Sequence, residues 1–225
     1  MIHAIIFDFD GLILDTEGPI FQSWQEAYRQ HGQELLLEKW AAVIGTYEES
    51  FDPWTHLQKL VGHPLEAQAV LAPRLAREQQ LIARQPVLPG VQEYLQDAAR
   101  LGLKTGLASS SPHRWVAGHL QRLGLMHYFQ CIRTRENVRI TKPDPELYIS
   151  AAAGLGVHPE QAIALEDSPN GVLAAKRAGL YCVAVPNSLT RLLPLDQADL
   201  RIESLAEIPL ERLLAQVNSH RESMS

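Results

Sequence analysis

Cysteine is scarce in this chain. Cys131 and Cys182 are the only two, and they show no CxxC pair or zinc-type spacing. A reduced, intracellular and therefore cytoplasmic setting is the simplest expectation. The nine histidines are scattered without HxxxH or HExxH, so no histidine-based metal site is expected. Long apolar runs are missing as well. Met1 leads straight into a hydrophobic run too short for a signal peptide or a membrane span, so no membrane partner is expected. Basic residues are outnumbered, 20 Lys and Arg against 26 Asp and Glu, for a formal net charge of −6. That balance argues against nucleic acid as the main partner and says little about small anionic substrates, which respond to local fields. There is no repeat and no low-complexity tract. What remains, 225 residues of which 46% are hydrophobic and 20% charged, suits one or two globular domains with a sizeable core.

The most informative segment is Asp8-Phe9-Asp10-Gly11, directly behind Ile2-His3-Ala4-Ile5-Ile6-Phe7. The Ile-rich run reads as a buried strand, and Gly11 marks a sharp turn after it. Two carboxylates one residue apart therefore emerge at the C-terminal edge of a sheet, where open α/β folds bind ligands. Two acids in one crevice repel unless a positive group lies between them, and a hard divalent cation such as Mg²⁺ is the natural choice.

Residues 16–85 contain no convincing strand. Ile20, Trp24, Ala27, Tyr28 and His31 fall at helical spacing, with Gly32 as the stop. Further helices are predicted over Leu36–Ile44, ending at Gly45, over Pro53–Val61, ending at Gly62, and over Leu65–Arg84, with Pro73 restarting or kinking the last. From Pro86 the pattern becomes strand alternating with helix. Strands are predicted at Leu103–Ala108, Gln130–Arg133, Ala162–Leu165 and Tyr181–Val185, and helices at Val91–Leu101, Pro112–Leu123, Pro145–Ala153 and Pro169–Ala178. A short strand (Asp199–Ser204) and a helix (Leu205–Val217) close the chain. The expected architecture is α/β, a doubly wound parallel sheet formed by residues 1–15 and 86–225, with residues 16–85 inserted as a small helical unit.

Three further segments follow a predicted strand and precede a helix: Leu107-Ala108-Ser109-Ser110-Ser111-Pro112, Lys142-Pro143-Asp144-Pro145, and Leu165-Glu166-Asp167-Ser168-Pro169. Each carries Ser or Asp before Pro, the pattern of an N-cap with proline at the first helical position. A parallel sheet gathers these helix starts on the edge that bears Asp8 and Asp10, and helix N-termini favour phosphate. Lys142 is a point cation suited to a phosphoryl oxygen, and Ser109 Oγ with nearby N–H groups suits another. Asp167 and Glu166 can join Asp8 around a metal. A carboxylate attacking phosphorus gives an aspartyl-phosphate, which water opens, and a second acid can protonate the leaving alkoxide and then activate that water.

In this order the segments resemble the haloacid dehalogenase superfamily, and DFDGLILDTE with the helical insertion resembles its β-phosphoglucomutase-like branch with a small helical cap. The resemblance spans essentially the whole chain. It implies a Rossmann-like core, with Asp8 as nucleophile and Mg²⁺ ligand. It implies Asp10 as general acid/base, giving its backbone carbonyl to the metal. Ser109 and the amide of Ser110 would bind the phosphoryl group, Lys142 would neutralise it, Asp167 would be the second side-chain ligand, and Glu166 would serve in the inner or outer metal shell. Ser111 and Ser168 read as helix caps, and an alternative for Asp167 is that it only caps the helix from Pro169. Thr16, Glu17, Tyr47, Trp54 and Arg77 are candidates for the cap face over the site. Trp24, Trp40, Tyr28 and Leu37 read as cap core, and His113 reads as cleft-facing or merely exposed.

The chain departs from the sugar phosphomutases at two places. Ile20 stands where they carry a histidine four residues after the threonine of their DT pair, and Gly45-Thr46-Tyr47-Glu48 lacks their cap arginine. A mutase must hold a second phosphate, whereas hydrolysis needs no such group. The expected function is a Mg²⁺-dependent phosphatase of a small phosphorylated metabolite. The alternatives are a β-phosphoglucomutase-like isomerase and a non-catalytic binding module, the latter disfavoured by the complete set Asp8, Asp10, Lys142 and Asp167. Carbon–halogen chemistry is disfavoured because it needs neither metal nor a second aspartate at position 10. The assembly is expected to be a monomer or a small homo-oligomer.

Overall fold

A computed structural model describes residues 1–41 and 51–223. Six parallel strands form one sheet in the order β3-β2-β1-β4-β5-β6. They are β1 (Ala4–Phe7), β2 (Lys104–Ala108), β3 (Cys131–Arg133), β4 (Ala162–Glu166), β5 (Tyr181–Ala184) and β6 (Leu200–Arg201). β1 pairs with β2 on one side and β4 on the other, so Phe7 stands level with Leu107 and Leu165. The strand order reverses around β1, which places the residues after Phe7 at the switch point of the sheet.

Side chains alternate along β1, and each set has its own helices. Ile5 and Phe7 pack with α5 (Val91–Arg100), α6 (His113–Arg122) and α9 (Leu210–Ser223), through Tyr94, Leu95, Val116, Leu120 and Leu213. Ala4 and Ile6 face α7 (Glu146–Leu155) and α8 (Pro169–Arg177), through Leu147, Ala151, Ala152, Ala174 and Ala175. Alanines dominate this second layer, and small side chains let helices lie close to the sheet. The doubly wound architecture predicted from strand–helix alternation is therefore observed.

Among the described residues, four helices lie between β1 and α5: α1 (Glu17–Gln30), α2 (Leu37–Ala41), α3 (Pro53–Val61) and α4 (Ala67–Ala83). Trp24, Tyr28, Trp40, Leu57 and Val70 form their buried centre, with Leu37 packed beside it. The two chain crossings between this block and the sheet run side by side. Leu14 pairs antiparallel with Val87, and Leu88 N–H donates to the Ile13 carbonyl at 3.0 Å. The predicted end of α2 at Ile44–Gly45 lies outside the described residues. Among those residues no helix is long and apolar enough to cross a membrane.

Several local expectations are corrected. Pro73 lies inside one helix rather than dividing two. α9 starts at Leu210, not Leu205, because Pro209 supplies the first carbonyl of its ladder and Leu205 and Ile208 are buried in the preceding turn. The final strand shrinks to Leu200–Arg201. Of the three Ser/Asp–Pro pairs, Ser168 caps as expected, accepting from Gly171 N–H at 3.1 Å, and Asp144 Oδ1 accepts from Glu146 N–H at 3.0 Å at the start of α7. Ser111 does not cap α6, because Pro112 intervenes with extended backbone (ψ 147°).

Gly90 begins α5 at φ +84°, and a β-carbon there would lie 2.2 Å from the Leu205 carbonyl carbon. Gly90→Ala should therefore destabilise the protein by about 2 kcal/mol or more, through left-handed strain plus a backbone clash. Chemical denaturation of the two proteins checks this, and an unchanged midpoint would refute it.

Candidate active site

Directly after β1, Asp8 N–H donates to the Leu165 carbonyl at 3.0 Å, so the sheet ladder extends one residue and fixes the Asp8 backbone. Its side chain is buried. Lys142 Nζ donates to Asp8 Oδ1 at 2.5 Å, to Glu166 Oε1 at 2.6 Å and to the Ala108 carbonyl at 2.7 Å. An ammonium has three protons, and all three are used. One buried cation thus ties together the ends of β1, β2 and β4. Tyr148 on α7 completes the arrangement. Its hydroxyl donates to Glu166 Oε1 at 2.6 Å, and its ring centre lies 5.0 Å from Lys142 Nζ. Gly171 is required behind Glu166, where a β-carbon would fall 1.9 Å from the carboxyl carbon.

Asp10, two residues further, is only partly buried. Ser111 Oγ donates to its Oδ2 at 2.6 Å, Trp115 Nε1 donates to its Oδ1 at 2.9 Å, and Ser109 Oγ lies 3.4 Å from Oδ2. Ser109 Oγ in turn accepts from Ser111 N–H at 3.0 Å. Ser110 Oγ is buried and has no hydrogen-bond partner among the described residues. Asp167, buried after β4, accepts from Asn187 Nδ2 at 2.8 Å. The same amide nitrogen reaches the Gly11 carbonyl at 3.3 Å, while Asn187 Oδ1 accepts from Leu189 N–H and Thr190 N–H. Asn187 is therefore a rigid strut between Asp167 and the turn at Gly11.

These groups open on a cavity of about 440 Å³ between the sheet edge and the helical block. Asp8, Asp10, Ser109, Ser110, Lys142 and Asp167 line it from the sheet, Thr16, Glu17 and Ile20 from the start of α1, and Glu78 from α4. Glu166 stands immediately behind, joined through Lys142. Trp54 packs in the helical block, Arg77 pairs with Glu26 at 2.8 Å, and His113 is exposed with its N–H directed at Glu136. None of these three lines the cavity. Tyr47 lies outside the described residues. Sequence reasoning missed Ser111 as a partner of Asp10, and it missed Trp115, Tyr148, Asn187 and Glu78 altogether. Asn187 was within reach, since it follows β5 at the same sheet edge as the other loops. Trp115 and Tyr148 depend on helix rotation, which spacing does not reveal.

Burial dominates the electrostatics. It pushes the Asp8 carboxyl up to about 8, with Lys142 opposing and Glu166 and Asp10 adding to the rise. Asp167 is pushed well above the carboxylate range by burial, then by Asp8 and Glu166. Burial disfavours the Lys142 ammonium, but Asp8 and Glu166 outweigh it and hold that group above its ordinary range. Asp8, Glu166 and Asp167 each offer a carboxylate oxygen, all within 4.8 Å of one another. One lysine cannot offset three such acids, and the donors are hard oxygens. That set fits a divalent cation of the Mg²⁺ or Ca²⁺ type.

The raised Asp8 value has a definite sign in stability. Above about pH 4 the unfolded carboxyl ionises while the folded one stays protonated, so the native state binds more protons and loses stability as pH rises, until about pH 8. In EDTA, the thermal midpoint of Asp8→Asn minus that of the unaltered protein should therefore grow from about pH 5 to about pH 8 and then level off. A difference that stays flat or shrinks over that window would refute this account.

Comparison with known proteins agrees with the geometry. The chain is 47% identical over 219 residues to "Putative phosphatase YhcW" of Bacillus subtilis (strain 168), covering 97% of this chain and 99% of that protein. It is 32% identical over 217 residues to "Hexitol phosphatase B" of Escherichia coli (strain K12), covering 95% and 97%. A crystal structure described as a "putative beta-phosphoglucomutase from Thermotoga maritima" superposes with a TM-score of 0.77 at 27% identity, covering 96% of this chain and all of that one. The family model of the haloacid dehalogenase-like hydrolases matches residues 2–179. With the parallel sheet, the switch-point aspartates and the buried lysine in place, the chain belongs to the haloacid dehalogenase-like hydrolase family.

Proposed function

We propose that this protein is a Mg²⁺-dependent phosphatase that hydrolyses a small phosphorylated metabolite through an aspartyl-phosphate on Asp8. The observation that carries the reading is the state of the Asp8 carboxylate. Lys142 pins Oδ1, whereas Oδ2 accepts no hydrogen bond from a described residue, and the side chain lines the cavity. With Mg²⁺ bound the group would be ionised, and a carboxylate oriented through one oxygen and open at the other is prepared for attack on phosphorus. The phosphatase names of two similar proteins support the same class. Residues 16–85 would form the cap over the site, and free, buried Cys131 and Cys182 support a cytoplasmic setting.

Asp8 Oδ2 would attack the phosphorus as the bond to the substrate oxygen breaks. Asp10, oriented by Ser111 and Trp115, would give its proton to the departing alkoxide. Water would then attack the phosphorus with Asp10 taking its proton, which frees inorganic phosphate and restores Asp8. Lys142, Ser109 Oγ and the Ser110 amide would hold phosphoryl oxygens. Asp8 and Asp167 side chains and the Asp10 carbonyl would bind Mg²⁺, with Glu166, already engaged by Lys142 and Tyr148, in the outer shell. Bound Mg²⁺ supplies charge screening between the anionic nucleophile and the anionic phosphoryl group. Thr16, Glu17 and, from outside the described residues, Tyr47 would face the alcohol part of the substrate.

Hydrolysis is favoured over isomerisation by Ile20. The residue that replaces the mutase-type histidine lines the cavity and can hold neither a proton nor a phosphate.

Three outcomes are expected. Asp8→Asn should lower phosphate release at least about a thousandfold without loss of fold. Substantial turnover in a clean preparation would remove the nucleophile assignment. Asn187→Leu should weaken Mg²⁺ binding by about tenfold or more, read by titration calorimetry, because Asp167 loses its orienting donor. An unchanged affinity would mean that the strut has no bearing on the metal. With β-glucose 1-phosphate and a catalytic amount of the bisphosphate, inorganic phosphate should outpace glucose 6-phosphate. The reverse order would establish the isomerase instead.

A further inference from the structure

Two leucines from the sheet side of the molecule are seated in the helical block. Leu189 is buried in the cluster formed by Trp24, Tyr28, Trp40, Leu57 and Val70, and Leu193 packs against the same cluster. Both lie in the loop that follows β5. Val185 N–H still donates to the Glu166 carbonyl at 2.7 Å, and the chain then leaves the sheet. The same loop carries Asn187, whose amide nitrogen donates to Asp167 Oδ2 at 2.8 Å and reaches the Gly11 carbonyl at 3.3 Å. One short segment therefore holds a metal-site carboxylate at one end and is buried in the core of the helical block at the other.

The segment is stiff enough to transmit a displacement. Asn187 Oδ1 accepts from Leu189 N–H at 2.9 Å and from Thr190 N–H at 3.0 Å. Asn187 N–H donates to Thr190 Oγ1 at 3.0 Å, and the Asn187 carbonyl accepts from Arg191 N–H at 3.1 Å. Leu193 N–H closes the next turn on the Thr190 carbonyl at 2.9 Å, and Thr190 is fully buried. Asn187 and Leu189 thus belong to one hydrogen-bonded unit, and neither shifts alone unless those bonds break. At its front the unit has no slack. A β-carbon on Gly11 would lie 2.2 Å from Asp167 Oδ2 and 2.7 Å from Asn187 Nδ2. Behind it lies a second cavity, of about 300 Å³, lined by Asn187, Ser188 and Arg191 together with Gly11, Asp15 and Leu88. Packing fixes a group only where atoms meet it. With a cavity on that side, the seat of Leu189 in the helical block supplies the packing that sets where Asn187 stands.

We infer that Leu189 is a positioning residue for the metal site: it acts on Asp167 through Asn187, so that seating of the helical block and affinity for Mg²⁺ are coupled. The inference rests on the Mg²⁺ reading above and adds a residue outside the site that sets its affinity. Such coupling is reciprocal, and a size of about fivefold to a hundredfold is ordinary.

Titration calorimetry of Mg²⁺ into protein stripped with EDTA and dialysed reads the coupling without turnover. Leu189→Ala should weaken binding by about fivefold or more, although a leucine side chain cannot ligate a metal. Leu189→Met, which keeps the volume, should retain most of the affinity. Leu213→Ala empties a fully buried position on α9 and controls for general loss of stability; its affinity should stay within about twofold. In an Asn187→Leu background, Leu189→Ala should have no further effect, because the connection is already cut. Circular dichroism confirms folding. If Leu189→Ala does not fold, the smaller deletion Leu189→Val takes its place, with a loss of about twofold or more expected. Unchanged affinity in the folded Leu189 variant, an equal loss in Leu213→Ala, or losses that add to that of Asn187→Leu would overturn the inference. No Mg²⁺ binding by the unaltered protein would instead overturn the metal reading, and the inference with it.

Discussion

The buried ammonium of Lys142 is the interaction on which this structure turns. Asp8 and Glu166 are carboxylates with little or no access to water, and each would be strongly disfavoured as an anion alone. Lys142 lies within 2.6 Å of both. It has nothing to spare for solvent, because its third proton goes to the Ala108 carbonyl. The lysine comes from the loop before α7, while its partners end three adjacent strands. The site and the fold are therefore not separable. Removing the lysine would leave two buried acids with no counter-charge, and removing either acid would strand the cation. A buried pair is weak support for stability in itself, but a broken one is costly. This is the expected cost of holding two acids in a dry place at the centre of a sheet.

The second constraint is topological. The strand order reverses at β1, and there the chain leaving β2 and the chain leaving β4 turn to opposite faces of the sheet, which opens a crevice at their common edge. Ser109 follows β2, Asp167 follows β4 and Asn187 follows β5, all around Asp8. The helical block enters the chain immediately after this point and leaves beside it, with Leu14 paired to Val87. Its first helix therefore starts over the cavity, which is why Glu17 and Ile20 face the site while Trp24 and Tyr28, further along α1, form the block's own core.

The acidic surplus of the site has two distinct parts. Asp8, Glu166 and Asp167 crowd at the floor, where hard oxygens and excess charge suit a divalent cation. Glu17 and Glu78 stand across the cavity, where no cation among the described residues pairs with Glu17 and Arg74 donates to Glu78.

Much of this was legible in the chain. Strand–helix alternation from Pro86 onward determined the parallel sheet, because period-two and period-3.6 patterns bury different faces. Position after a strand then determined that Asp8, Asp10, Ser109, Lys142 and Asp167 share an edge, since a parallel sheet aligns all its strand ends. Local signals also sufficed for α3, with Pro53 at its start and Gly62 left-handed at its end. Tertiary structure decided what local signals cannot. Ser111 reads as a helix cap by spacing, but the extended backbone at Pro112 turns it to Asp10 instead. Trp115, Tyr148 and Glu78 reach the site through helix rotation and packing, and Asn187 does so through a turn closed by its own side chain. Sequence patterns encode which face of an element is apolar, and so they determine the layers. The direction of one polar side chain depends on contacts with residues scores of positions away, and only the folded chain brings those together.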